Sequence, residues 1–194
     1  MLTPQHICDG LSDQEIVRKS LEAVDFFSCL YERYEERLLR YIKRVAFAGA
    51  DEAADILQDA FIKIWKNLNA YDQSLPWSSW MYRIVHNEAI SSLRRKKTVG
   101  RGQQVPWDER LFSGIPDDVL PEDATEPELP DKNIHQVLAL LPESYREVLV
   151  LRFWENMPYD AISDILKIPE GTVATRINRA KKAFRAMVKN NIRH

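Results

Sequence analysis

Glycine is scarce in this chain, six residues in 194, and nowhere do apolar and polar residues alternate over the length of a strand. Both absences argue against a sheet, because half-buried strands read with period two and are bounded by glycine-rich turns. Cysteine is scarcer still. Cys8 and Cys29 are too few for a zinc site and poorly placed to staple the two halves, so a reducing compartment is the simplest setting. With only His6 as a basic neighbour, Cys8 reads as an inert lone thiol. No run approaches the roughly 18 apolar residues of a membrane span, and the N-terminus lacks the basic, apolar and small-residue order of a signal peptide. The chain therefore reads as soluble and intracellular. Also missing are paired carboxylates, a phosphate loop, a nucleophile beside a base, and any cluster at metal-ligand spacing. An enzyme is the least supported class, and no metal or cofactor is expected.

Net charge is equally uninformative, with 27 basic against 29 acidic side chains. Its distribution is not. Residues 93 to 107 hold five basic side chains and no acidic one, residues 108 to 131 hold nine carboxylates against Arg110 alone, and residues 176 to 194 hold seven basic side chains and no carboxylate. A polyanion bound at both cationic patches is repelled by the stretch between them, so that stretch stays away from it or lies in a cationic channel elsewhere.

What is present is helical periodicity. Phe26, Phe27, Leu30, Tyr31, Tyr34, Leu38, Leu39 and Ile42 predict one long amphipathic helix. Ile56, Leu57, Ala60, Phe61, Ile64, Trp65 and Leu68 predict a second from about Asp51, with an acidic start that suits the helix dipole. Ala70 to Pro76 reads as a loop, after which a third helix runs to the Arg94-Arg95-Lys96-Lys97 cluster. Periodicity then vanishes, and Pro106, Pro116, Pro121, Pro127 and Pro130 fall among carboxylates and glycines, the composition of a linker. It resumes at Ile134, pauses at Pro142 and continues through Phe153. The expectation is an all-α chain of two small helical domains, residues 20–97 and 132–192, joined by an acidic, proline-rich linker, 98–131. Ile16, Val17 and Leu21 form a weak helical pattern that extends the first domain.

Residues 158 to 188 have the outline of a helix-turn-helix: a short helix Tyr159 to Leu166, the turn Lys167-Ile168-Pro169, and a longer helix from about Glu170, where a glycine permits close backbone approach. On a helical wheel Val173, Ile177, Ala180, Phe184, Met187 and Val188 share one face. Thr175, Asn178, Arg179, Lys182 and Arg185 share the other, and a helix apolar on one side and cationic on the other suits the major groove. Arg179 can read a guanine edge, Asn178 an adenine edge, and Arg176, Lys181 and Lys182 suit phosphates. The competing reading is a solvated basic face near a helix C-terminus, where cations also favour the dipole.

On the third helix Met81, Tyr82, Val85, Ala89, Ile90 and Leu93 form the core side. The opposite row, Trp80, Arg83, Ile84, Asn87, Ser91 and Arg94, is expected to be exposed, and it mixes an aromatic, hydrogen-bonding groups and guanidiniums, the repertoire for unstacked bases and phosphates. Tyr71, Trp77 and Trp80 either offer further stacking surfaces or cap the core. His86 reads as a core or partner-facing histidine. On the second helix Asp55, Gln58, Asp59 and Ile62 lie away from the core stripe, as a wet face or a docking surface.

Three segments resemble the extracytoplasmic-function (ECF) sigma factors of bacteria. DEAADILQDAFIKIWKNL, Asp51 to Leu68, looks like conserved region 2.2, with Asp55, Gln58, Asp59 and Phe61 on its signature. PWSSWMYRIVHNEAISSLRRKK, Pro76 to Lys97, is similar to regions 2.3 and 2.4. Leu141 to Arg185, beginning LPESYREVLVLRFW, resembles region 4. The resemblance implies a factor that binds core RNA polymerase, through the clamp helices of the largest subunit and the flap of the second largest, and directs initiation at promoters.

On that resemblance Asp55, Gln58, Asp59 and Ile62 meet the polymerase. Trp77, Trp80, Arg83, Asn87, Ser91, Arg94 and Arg95 meet the minus 10 element. Thr172, Ala174, Thr175, Arg176, Asn178, Arg179 and Lys182 meet the minus 35 element. The resemblance also implies an anti-sigma factor, often membrane-anchored, that would hold an otherwise cytoplasmic protein at the inner membrane without inserting it. It gives the acidic linker a place in the cationic channels of the polymerase. Ser91 stands where the family often has Asp or Asn, Asn156 where Gly is common, and Ala174, Thr175 and Asn178 at variable positions, so the promoter sequence is not readable. The alternatives are a stand-alone helix-turn-helix regulator, which leaves the third helix's polar row without purpose, and a protein-only adaptor, for which both basic patches are incidental.

Overall fold

A computed structural model describes residues 7–99 and 131–191. Among the described residues the regular elements are all helices, chiefly α1 (Asp13–Ser20), α2 (Asp25–Ala46), α3 (Ala50–Lys66), α4 (Trp77–Val99), α5 (Asp131–Leu140), α6 (Glu143–Leu149), α7 (Tyr159–Leu166) and α8 (Glu170–Asn191). Two compact units result, the first built from α1 to α4 and the second around α5, α6 and α8. The acidic, proline-rich stretch expected at 98–131 lies outside the described residues, except that α4 continues through Thr98 and Val99 and α5 begins at Asp131.

In the first unit α2 packs against α1, α3 and α4, and α3 packs against α4. The apolar stripes explain this. Leu30, Leu38, Tyr41, Ile42 and Val45 of α2 are buried with Ala53, Leu57, Ala60 and Ile64 of α3 and Met81, Tyr82, Val85 and Ala89 of α4. Each large side chain buried this way contributes about 1.5–3 kcal/mol. Trp65, expected in the stripe, is 39% exposed. It covers the rim by resting its ring 5.0 Å from Phe27, which in turn meets Phe61 at 5.9 Å.

The pattern at Ile16 and Val17 is a true helix, α1, with both side chains fully buried and Leu21 exposed. Ser12 and Glu15 start it by a reciprocal capping box. Cys8 is not a lone thiol. It is joined to Cys29 of α2 in a disulfide, because α1 runs back along α2 and brings together cysteines 21 positions apart.

In the second unit α6 and α8 make the main contact, burying Val148, Leu149, Val173, Ile177, Ala180 and Phe184. The helical run through Phe153 widens into a π-helical turn over Val150–Trp154, with Glu155 N–H donating to Val150 O at 3.1 Å. Asn156 follows at φ 54°, the left-handed region that favours glycine and that asparagine tolerates better than most residues.

Candidate nucleic-acid interface

The second unit's site is built on the turn between α7 and α8. Lys167 caps α7 at φ 54°, a conformation that costs a non-glycine residue about 1 kcal/mol. Ser163 braces it: its hydroxyl donates to Ile168 O at 2.6 Å, while Ile168 N–H donates to Ser163 O at 3.3 Å. Pro169 then opens α8 by accepting from the N–H groups of Thr172 and Val173 at 2.8 and 3.0 Å.

The wheel for α8 is realised in the fold. Val173, Ile177, Ala180 and Phe184 are buried, whereas Thr175, Asn178 and Arg179 are exposed and Thr172, Ala174, Arg176, Lys182 and Arg185 are half-buried. Met187 and Val188, expected in the core, are half-buried too. A cleft of about 410 Å³ opens where α6 and α8 begin, lined by Pro142, Ser144, Tyr145, Gly171, Thr172, Thr175, Arg176 and Arg179. Among the described residues nothing lies within 4 Å of where a Gly171 Cβ would sit, so the close approach expected there is not made within them. Arg146 of α6 is buried, and its Nη1 donates to Leu141 O at 3.5 Å. Burial lowers its pKa, opposed by the carboxylates of Glu143 and Glu147.

The first unit's site differs from expectation at its start. Trp80 is 8% exposed and Trp77 3%, which overturns the expected exposure of Trp80. With Tyr71 they form a closed aromatic cluster, all three ring pairs 5.2 to 5.3 Å apart. The wheel places Trp80 on the polar row, but the loop from Leu68 to Pro76 folds Tyr71 back over it, and the Tyr71 hydroxyl donates to Leu75 O. The exposed part of the row begins later. Arg83 and Ile84 are half-buried, and Asn87, Ser91, Arg94 and Arg95 are exposed.

His86 is a core histidine, with Nδ1 2.7 Å from the Tyr41 hydroxyl. This buried link to α2 fixes the rotation of α4. Two further ties join α4 to α3: Lys63 to Glu88 at 2.5 Å, and Glu52 to both Lys96 and Ser92. The Lys96 hydrogen bond is the main reason that the Glu52 carboxyl is held below its ordinary pKa. One cation of the 94–97 cluster thus serves helix packing. Nothing in the sequence alone marked these ties, because partners 25 to 45 positions apart have no helical spacing to betray them.

On α3, Asp55, Gln58 and Asp59 are exposed and Ile62 is 44% exposed. With Trp65 they form a mixed acidic and apolar face. Phe61, on the same signature, is buried against Tyr31 at 4.9 Å. Among the described residues no group of three or more His, Cys, Asp or Glu could hold a metal ion, and no helix is long and apolar enough to cross a membrane.

A helical unit with a polar row on its fourth helix, followed in the chain by a helix-turn-helix unit with a cationic face on its last helix, is the arrangement of a sigma-70-type protein. Residues 30–99 match the family model for sigma-70 region 2, and residues 131–184 match that for sigma-70 region 4. The chain belongs to the ECF sigma factors, the family that directs RNA polymerase to begin transcription. It is 35% identical to the ECF RNA polymerase sigma factor SigW of Bacillus subtilis, over 86% of this chain and 90% of that one. With the ECF RNA polymerase sigma-E factor of Escherichia coli K12 it shares 28% identity, over 95% and 98% of the two chains. Its fold is similar to CnrH, solved in complex with the cytosolic domain of CnrY, with a TM-score of 0.68 at 20% identity over 92% and 97% of the chains. It is also similar to RpoE of Bartonella quintana, solved with the anti-sigma factor NepR, with a TM-score of 0.63 at 19% identity over 84% and 96%.

Proposed function

We propose that the two units divide promoter recognition between them, with α8 reading the minus 35 duplex and α4 capturing the melted minus 10 strand. The observation that carries this is the contrast between faces of α8: Val173, Ile177 and Ala180 are buried while Asn178 and Arg179 are exposed, Arg179 lining the cleft where α6 and α8 begin. In this reading Arg179 and Asn178 contact base edges, Thr172, Ala174 and Thr175 fit against the groove, and Arg176 and Lys182 hold phosphates.

In the first unit Asn87 and Ser91 supply hydrogen bonds to an unstacked base, and Arg83, Arg94 and Arg95 hold its backbone. Trp77 and Trp80 support the loop from below and become stacking surfaces only when Tyr71 moves. Extruding a base costs a few kcal/mol, offset by stacking and pocket hydrogen bonds of about 1–3 kcal/mol each, so melting and reading are one event. Asp55, Gln58, Asp59 and Ile62 dock on the clamp helices of the polymerase's largest subunit, and the second unit on the flap of the next largest. Such a protein works in the cytoplasm. The structural neighbour from Bartonella quintana was solved bound to an anti-sigma factor, which supports control of this chain by an anti-sigma factor, anchored or not at the inner membrane.

The test is open-complex formation. The full chain is mixed with bacterial core polymerase and a promoter library and scored for permanganate-reactive thymines and run-off transcripts. Transcripts that require the chain are expected. Tight duplex binding without polymerase and without melting would move the assignment to a stand-alone regulator.

A further inference from the structure

The disulfide between Cys8 and Cys29 belongs to no part of the promoter-reading surface, and it fastens one segment by one of several attachments. The turn at residues 7–10 needs Gly10 at φ 78° and closes with Leu11 N–H donating to Cys8 O at 3.2 Å. Just beyond it, Arg33 of α2 donates to Leu11 O at 3.0 Å and pairs with Asp13 at 2.5 Å, and the Tyr34 hydroxyl donates to the same carboxylate. Ile16 and Val17 are wholly buried. These contacts hold α1 without the sulfur bridge, so its loss leaves the helices of the bundle in place and loosens the turn.

We propose that Cys8 and Cys29 are a reversible thiol/disulfide site whose oxidation clasps the N-terminal segment onto α2, tightening α1 and the turn before it, and whose reduction loosens both. In the reducing setting that two cysteines in 194 residues indicate, a disulfide is transient and redox-sensing rather than a permanent fixture. Cys8 and Cys29 are 6% and 5% exposed, but Cys8 sits beside the exposed Ile7, Asp9 and Gly10, and that turn is the entry point for a reagent.

Reduction consumes a dithiol. Its thiolate attacks one sulfur, the S–S bond breaks as a mixed disulfide forms, and the dithiol's second thiol resolves it, leaving two protein thiols and an oxidised dithiol. Oxidation consumes a peroxide. One thiolate becomes a sulfenic acid with loss of hydroxide, and the other sulfur displaces its oxygen as water to form the bridge.

The experiment equilibrates the full chain in graded ratios of reduced to oxidised dithiothreitol, counts thiols by alkylation and mass, and follows amide exchange on the same samples. A single two-electron transition is expected, with exchange in residues 7–20 rising about tenfold on reduction and no change in α8. Cys8→Ser should show the reduced pattern in every buffer, and one equivalent of hydrogen peroxide should restore the oxidised pattern in the reduced natural chain only. Exchange that ignores thiol state, pairing between chains instead of within one, or loss of α2 to α4 on reduction would each overturn the proposal.

Discussion

The helices α4 and α8 carry the two polar rows of this molecule, and they are built in opposite ways. The polar face of α8 is a helix surface in the simple sense: Val173, Ile177, Ala180 and Phe184 are buried on one side, Thr175, Asn178 and Arg179 are open on the other, and a wheel drawn from the sequence places all but Met187 and Val188. Its precision comes from the braced turn before it. The face of α4 is a composite. Its first turn is sealed under Tyr71, its middle is fixed by the buried Tyr41 and His86 pair, and its far end is tied to α3 by Glu52. A duplex presents its edges to any helix of the right shape, whereas an extruded base needs a pocket, and a pocket needs more than one element.

The largest expected effect comes from the sealed end of α4. Trp80→Ala should cost the first unit about 3–5 kcal/mol of stability through the cavity it leaves, measured by urea denaturation. A loss near zero would make Trp80 a surface ring and return α4 to the same type as α8. Next, paired substitutions sharpen the division of labour. Arg179→Ala should weaken binding to minus 35 duplex by about 1–3 kcal/mol, and Asn87→Ala should cut open-complex formation about tenfold with duplex binding unchanged. Equal losses of both activities in both variants would dissolve the comparison.

A smaller effect is expected on α3. Asp59→Lys should lower polymerase affinity severalfold, on the order of 1 kcal/mol, with the thermal midpoint unmoved. Unchanged affinity in a pull-down titration would remove this face from the docking surface.

Smallest is Glu52→Gln, worth under about 1 kcal/mol because Lys96 and Glu52 are both partly exposed. The sign follows from the lowered pKa of Glu52. Its contribution is present above the ordinary glutamate range and is lost as pH falls through the depressed folded-state value. The gap between the natural chain and the variant should therefore close in acid. A gap that widened in acid would mean that the Lys96 tie is not its source.

The sequence made α8 legible because everything that defines its face is local: periodicity, the Tyr159 to Pro169 outline and the run of cations after Glu170. The helices α2 to α4 were legible for the same reason. The burial of Trp80 was not, since the wheel assigns a direction but cannot see a loop folding back over it. Trp65 errs the opposite way, sitting on the stripe yet at its edge. The helix α1 carried a stronger signal than its apolar residues, the Ser12-x-x-Glu15 capping box. The disulfide carried none, because pairing Cys8 with Cys29 depends on α1 doubling back along α2.

The ties from α3 to α4 have a mechanical meaning. Glu52 and Lys63 grip α4 at separate points along its length, and α2 braces both helices from one side. Three rods joined in this manner form a truss, which transmits load without bending. The outer face of α3 and the row of Asn87 and Ser91 on α4 are therefore parts of one frame, and a partner that grips the first is tied through it to the second.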